Sequence, residues 1–257
     1  MGVQWGRVVT DLAQADRAAA DGFDFVQAVP DLVADLEEHE VVRQRERLRS
    51  GGLPFAVCGV PLPAGVRVTQ QGFNLYVWTE HVKHALHRMA DLGCRKIVWS
   101  DGRARLVPVE GEVSGPKEQA LQFLYVLCEA ADAFGIEVLV EPLGSRRTNF
   151  LNSLEEIGEF LPRVGKDNLS SMVSLRELDA IGLSPARLGA HRHLVGHVQM
   201  ENPASPEGAR ISPRPGDGSD YRPFLEALKA IGYAGTISLP GDADAAALDY
   251  CRRLWKG

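Results

Sequence analysis

The sequence predicts an α/β fold, a single (β/α)8 TIM barrel over residues 1–257. Three observations carry this. Eight short apolar, β-branched runs recur along the 257-residue chain. Gly and Pro bound them, as expected for parallel strands covered by helices. Longer segments of helical periodicity separate the runs, and eight β–α units in about 250 residues is the arithmetic of a barrel. An open doubly wound sheet would want a glycine-rich phosphate loop after an early strand, and neither GxGxxG nor GxxxxGK[ST] occurs.

The elements follow in order. VQWGRVV (3–9) reads as the first strand. Thr10 is placed to cap the helix DLAQADRAAADG, which Gly22 closes. FDFVQAV (23–29) is the second strand, and EHEVVRQRERLRSGG is a helix ending on a Gly pair. PFAVCGV (54–60) and KIVWS (96–100) are the third and fourth strands. QFLYVLCEAADAFG carries an i, i+3/i+4 apolar stripe and stops at Gly135. EVLVEPL (137–143) is the fifth strand, and Asn152 is placed to cap SLEEIGEFLPRVG. SSMVSL (170–175) and LVGHVQM (194–200) are the sixth and seventh. DYRPFLEALKAIGYAG is a helix with a glycine stop before the eighth strand, GTISLPG (235–241), and ADAAALDYCRRLWKG is the last helix. The longest irregular stretches, near 61–72, 101–116 and 201–219, each follow a strand. In a barrel those loops build the active site at the C-terminal face.

Composition narrows the functional classes. With 45% hydrophobic and 24% charged residues, disorder is excluded. A net charge of −6 argues against a nucleic-acid surface. No apolar run approaches the roughly 20 residues of a membrane span, and the N-terminus lacks a hydrophobic signal region. A soluble, cytoplasmic protein acting on a small molecule is the expectation, with no nucleic-acid or membrane partner. The four cysteines, Cys58, Cys94, Cys128 and Cys251, form no CxxC pair and read as reduced, buried residues. His81, His84 and His87 would spiral around a helix rather than share a metal-binding face.

Two strand ends carry chemistry. Glu141, at the end of the fifth, would point a carboxylate into the barrel mouth. On the seventh, His197, Gln199 and Glu201 share one face by the two-residue period of a strand, so they too are expected to line the mouth; a core position for His197, one layer lower, stands as the alternative. The Pro- and Gly-rich loop that follows, with Arg210, Arg214 and Pro215–Gly218, could wrap a polar ligand.

At this point the chain resembles the xylose isomerase-like TIM barrels, the sugar-phosphate isomerase/epimerase group. The resemblance rests on IEVLVEPLGSRRTNFLNSLEEIGEFL, on the seventh strand with its PGxG loop, and on DYRPFLEALKAIGYAGTISL. It implies a divalent metal held by Glu, Asp, His and Glu at strand ends, with carboxylates moving a proton between carbons α to a carbonyl. It also implies barrels that pair through their helices, hence a homodimer. Position by position, Glu141 matches the first ligand. The Asp falls on Ser174, with Glu177 where a His would follow. The metal-binding His falls on Gln199 and the last Glu on Pro240. The carboxylate six residues past the first ligand falls on Arg147, and that of the second strand on Gln27. Ser, Gln and Pro are no substitute for Asp, His and Glu around a hard cation, so no metal and no other cofactor is expected.

Two readings remain. In the first, a divergent enzyme performs metal-independent proton transfer (isomerisation, epimerisation, dehydration or cyclisation) on a small polar or anionic carbonyl substrate. Glu141 or His197 would be the base, and Arg147 or Arg210 would take the metal's role at the oxyanion. Gln199, Glu201, Ser174 and Gln27 would contact substrate. In the second, the barrel is a non-catalytic binding protein or an inactive subunit of a hetero-oligomer. The DNA-repair relatives of this fold need a trinuclear zinc cluster, for which too few ligands occupy strand ends.

Overall fold

The computed structural model describes residues 2–109, 114–206 and 209–257. Eight parallel strands close on themselves in the order β1 to β8. They are β1 (Gln4–Val9), β2 (Phe25–Ala28), β3 (Val57–Gly59), β4 (Lys96–Trp99), β5 (Glu137–Val140), β6 (Leu169–Ser174), β7 (Val195–Gln199) and β8 (Thr236–Leu239). Closure is made by β1 against β8, with Gln4 opposite Thr236 and Arg7 opposite Leu239. All eight expected runs become strands, so the barrel follows as predicted. Several are shorter than the apolar run, because each loop leaves the ladder once its backbone turns over the mouth.

Alternation along each strand makes two cores. Inward-facing Phe25, Val57, Val98, Leu139 and Met172 fill the barrel. Outward-facing Val9, Val26, Ile97, Val138, Val198 and Ile237 join the layer beneath the helices. The helices are α1 (Leu12–Ala20), α2 (Pro30–Ala34), α3 (Glu38–Arg49), α4 (Leu75–Asp91), α5 (Ser114–Asp132), α6 (Leu154–Val164), α7 (Leu175–Ala180), α8 (Arg222–Ala230) and α9 (Ala245–Lys256). On α6, buried Leu154, Ile157, Phe160, Leu161 and Val164 recur at helical spacing, and Gly165 ends the helix at φ +68°, a left-handed conformation that suits glycine. None of the described helices is long and apolar enough to cross a membrane. All four cysteines are free and buried, as expected.

Two caps differ from expectation. Asp11, not Thr10, accepts the Gln14 N–H at 2.8 Å to start α1. Ser153, not Asn152, accepts the Glu156 N–H at 3.2 Å to start α6. Asn152 is engaged elsewhere, its Nδ2 donating to the carbonyls of Leu143 at 2.6 Å and Thr148 at 2.8 Å. Asn149 in turn pairs with both backbone groups of Val107, at 2.9 and 2.8 Å. The TNFLNS segment is therefore a clasp that fixes the loop after β5 to the loop after β4. Helix α5 also begins before the expected QFLYVLC stripe, at Ser114. Residues 110–113 of the expected 101–116 loop and 207–208 of the 201–219 loop lie outside the described residues.

Close packing inside the barrel gives a first test. A Cβ on Gly196 would lie 2.7 Å from both Glu137 Oε1 and Leu139 Cδ2. Gly196→Ala is expected to cost about 1–3 kcal/mol by overpacking, read as a lower urea midpoint with unchanged m. An unaltered midpoint would show that the interior yields at this level.

Candidate active site at the C-terminal mouth of the barrel

The loops after β3, β4, β5 and β7 converge over the C-terminal ends of the strands. Val68 N donates to Ala104 O at 2.7 Å, and Thr69 Oγ1 to Leu106 O at 2.5 Å, strapping the 61–72 loop to a 3-10 turn at Arg103–Arg105. That turn delivers Arg105 inward, fully buried, beside the Trp99 ring at 5.7 Å and donating from Nη2 to the carbonyl of Glu141.

Glu141 follows the last residue of β5 and is 0% exposed. Neither carboxylate oxygen has a hydrogen-bond partner among the described residues. Burial raises its pKa to about 7. The guanidiniums of Arg210 and Arg147 hold it down, and Glu177 and Glu201 push it up. Burial likewise lowers Arg105, to about 10, while Glu141 raises it.

Two ion pairs flank this carboxyl. Arg147 Nη1 donates to Glu177 Oε1 at 2.9 Å, and its Nη2 to Ser100 O at 3.3 Å. Arg210 Nη1 donates to Glu201 Oε1 at 2.9 Å and Gln199 Oε1 at 3.0 Å. Ser174 Oγ also donates to Glu201 Oε1, at 2.9 Å. Glu177 accepts the Gly144 N–H at 3.1 Å, and the Glu177 N–H donates to Ser174 Oγ at 3.4 Å. Arg105, Arg147 and Arg210 thus face Glu141, Glu177 and Glu201 in one charge-balanced cluster.

The expected residues divide. Glu141, Arg147, Ser174, Gln199, Glu201 and Arg210 come together at the mouth. His197 and Gln27 do not. His197 is 0% exposed, with Nδ1 2.8 Å from Thr236 Oγ1 and Nε2 3.1 Å from Gln27 Oε1. With the Gln27 oxygen as acceptor, Nε2 would carry the proton and Nδ1 would accept from the threonine hydroxyl. Burial, and the charge of Lys96 near the opposite end of the barrel, lower the His197 pKa to about 3. Nuclear magnetic resonance at pH 5 should therefore show a neutral Nε2-protonated ring, whereas an imidazolium signal would place His197 in contact with water.

The sequence marks Arg105 only weakly. It sits in DGRARLVP, beside Arg103, and looks like one of two loop arginines. The apolar spacing after it, LVPV, is a weak signal. Its burial comes from closure of the 61–72 strap.

Two cavities open beside the cluster. One, of about 180 Å³, is lined by Gly59, Val60, Val98, Trp99 and Ser100. Another, of about 690 Å³, lies between the loops after β5, β6 and β7. Arg147 lines the second and reaches Ser100 at the rim of the first.

The family model for the xylose isomerase-like TIM barrel matches residues 15–251. The chain belongs to that family. Solved structures of the same architecture include D-psicose 3-epimerase in the presence of D-fructose, at 16% identity and TM-score 0.82, covering 99% of this chain and 100% of that one. Apo 3-keto-D-glucoside 4-epimerase from E. coli gives 17% and 0.77, covering 98% and 99%. AP endonuclease, family 2, from Brucella melitensis gives 20% and 0.73, covering 96% and 98%. At these identities the likeness establishes the fold. No curated protein matches the chain.

A divalent ion of the kind the family resemblance implies does not fit the residues present. Ser174 Oγ and Gln199 Oε1 are engaged with Glu201 and Arg210, Pro240 has no donor, and Arg147 and Arg210 bring positive charge beside Glu141. Among the described residues no three His, Cys, Asp or Glu side chains group so as to hold a metal. A hard cation wants several anionic oxygens, and here those oxygens already face guanidiniums.

Proposed function

We propose that the protein is a sugar isomerase/epimerase-like enzyme that moves a proton at a carbon next to a carbonyl, with arginines where the family resemblance implies a metal. One observation carries the reading: a buried carboxyl, Glu141, with two unpartnered oxygens and a pKa near 7, held among guanidiniums. A carboxyl kept only for structure would be paired, since an unpaired buried polar group is costly. A carboxyl poised near neutrality is suited to take and return a proton.

The chemistry follows from the groups present. The Glu141 carboxylate removes the proton from the carbon α to the carbonyl, and the electron pair moves onto the carbonyl oxygen. Arg147 or Arg210, released in part from its carboxylate, donates to that oxyanion. The protonated Glu141 then returns the proton either to the former carbonyl carbon, as the neighbouring hydroxyl passes its own proton to the oxyanion and becomes the new carbonyl, or to the original carbon after the planar intermediate has turned its other face to the carboxyl. Glu177, Glu201, Gln199 and Ser174 position the two arginines. His197 and Gln27, engaged with each other below the mouth, support the barrel interior.

Incubation with a panel of ketoses, sugar acids and their phosphates in D2O tests this. A substrate should gain deuterium at the α carbon, at a rate that rises through about pH 7 as Glu141 ionises and is unchanged by EDTA. Exchange abolished by EDTA and restored by Mn²⁺ would overturn the metal-free mechanism. A second reading, a binding protein without turnover, is favoured by the complete burial of Glu141. Tight binding with no exchange across the panel would select it.

A further inference from the structure

The 690 Å³ cavity beside the mouth is lined by Arg146, Arg147, Arg176 and Arg210, against Glu177 and Asp179. Four guanidiniums therefore meet in one concavity. The four are differently committed. Arg176 donates to the carbonyls of Ala209 and, at 3.1 Å, Pro206, so its charge is held in place by groups that do not cancel it. Among the described residues Arg147 and Arg210 each have one carboxylate partner, and Arg210 donates from Nη1. Arg146 is exposed and makes no ion pair or side-chain hydrogen bond among the described residues.

We infer that this cavity is an anion subsite, which takes a terminal phosphate or carboxylate of the substrate. The inference rests on the reading of the mouth as an active site and adds the substrate class: a small carbonyl compound with its charge at the end remote from the reacting carbon. Arg147 and Arg210 line the cavity and are also the two cations that hold down the pKa of Glu141, so an anion bound there would share its partners with that carboxyl. Guanidinium forks match phosphate and carboxylate oxygens in geometry as well as in charge. Binding the remote anion would hold the reacting carbon over Glu141 and draw the two arginines partly off their carboxylates.

Binding is tested apart from turnover, by calorimetric titration with inorganic phosphate and with D-gluconate, against chloride at matched ionic strength. The wild type should bind one or both saturably. Arg146→Gln, which removes no described side-chain contact, should weaken that binding about tenfold, the worth of one charge-assisted hydrogen bond. Phosphate alone bound points to a phosphate ester, and gluconate alone to a sugar acid. Saturable binding that Arg146→Gln leaves unchanged, or none beyond the chloride control, overturns the inference. Glu141→Gln should still bind the anion while losing proton exchange. In the wild type, exchange without anion binding would therefore sink the subsite alone, and anion binding without exchange would sink the catalytic reading alone.

Discussion

Glu141→Gln is expected to lower α-proton exchange by about 10²–10⁴-fold, the usual worth of a general base, and to change how stability depends on pH. The sign follows from the raised pKa. In the unfolded chain the carboxyl ionises near 4.5, and in the folded protein near 7. The folded state binds the extra proton between those values, so this stabilising contribution is complete below about 4.5 and is lost as pH rises through 7. The group is fully buried, and moving its pKa from 4.5 to about 7 corresponds to about 3 kcal/mol. Wild type should thus lose stability on going from pH 5 to pH 8 by an amount that Glu141→Gln does not. Urea unfolding of both proteins across that window measures it. Parallel curves would mean that Glu141 is already ionised at pH 5, and the assigned base would fall with them.

Arg105→Ala should destabilise the fold by about 3–5 kcal/mol, as expected when one member of a buried charge cluster is removed, with a further part from the cavity left beside Trp99. For a chain of this size that is a fall in Tm of roughly 10 °C. Arg105→Met separates charge from packing. It keeps most of the volume against the indole, so it should fold. Deleting the cation should raise the pKa of Glu141 and move the rise in exchange rate to higher pH. If Arg105→Met leaves the pH midpoint where it is, Arg105 only packs against Trp99 and has no part in setting the base.

The barrel was legible because its signals are local. Each strand is a short apolar run, and each buried helix face repeats at 3.6 residues. Eight repeats leave few topologies. Glu141 was legible for the same reason, as a carboxylate at a strand end. Boundaries and caps were less so. Asp11 and Ser153 displaced Thr10 and Asn152 because the neighbouring polar residue could reach the free N–H groups, and Asn152 was needed to tie two loops together.

His197 marks where the local rule runs out. Its face of β7 follows from the two-residue period, but its depth in the barrel depends on the shear between strands. The bulge between β6 and β7 near Ser171 and Met172 sets their local register. Only that three-dimensional placement puts the ring between Thr236 and Gln27, below the mouth. Arg105 shows the converse. A loop arginine becomes the deepest cation of the site because two loops distant in sequence, strapped at Val68 and Thr69, close over it. The sequence by itself determined the barrel, its family and the loss of the acidic ligand set, since periodicity and residue identity suffice for those. The tertiary structure alone decided which charges are buried together and how far Glu141 is pushed toward neutrality, because burial and electrostatic coupling depend on distances between segments that the chain order does not contain.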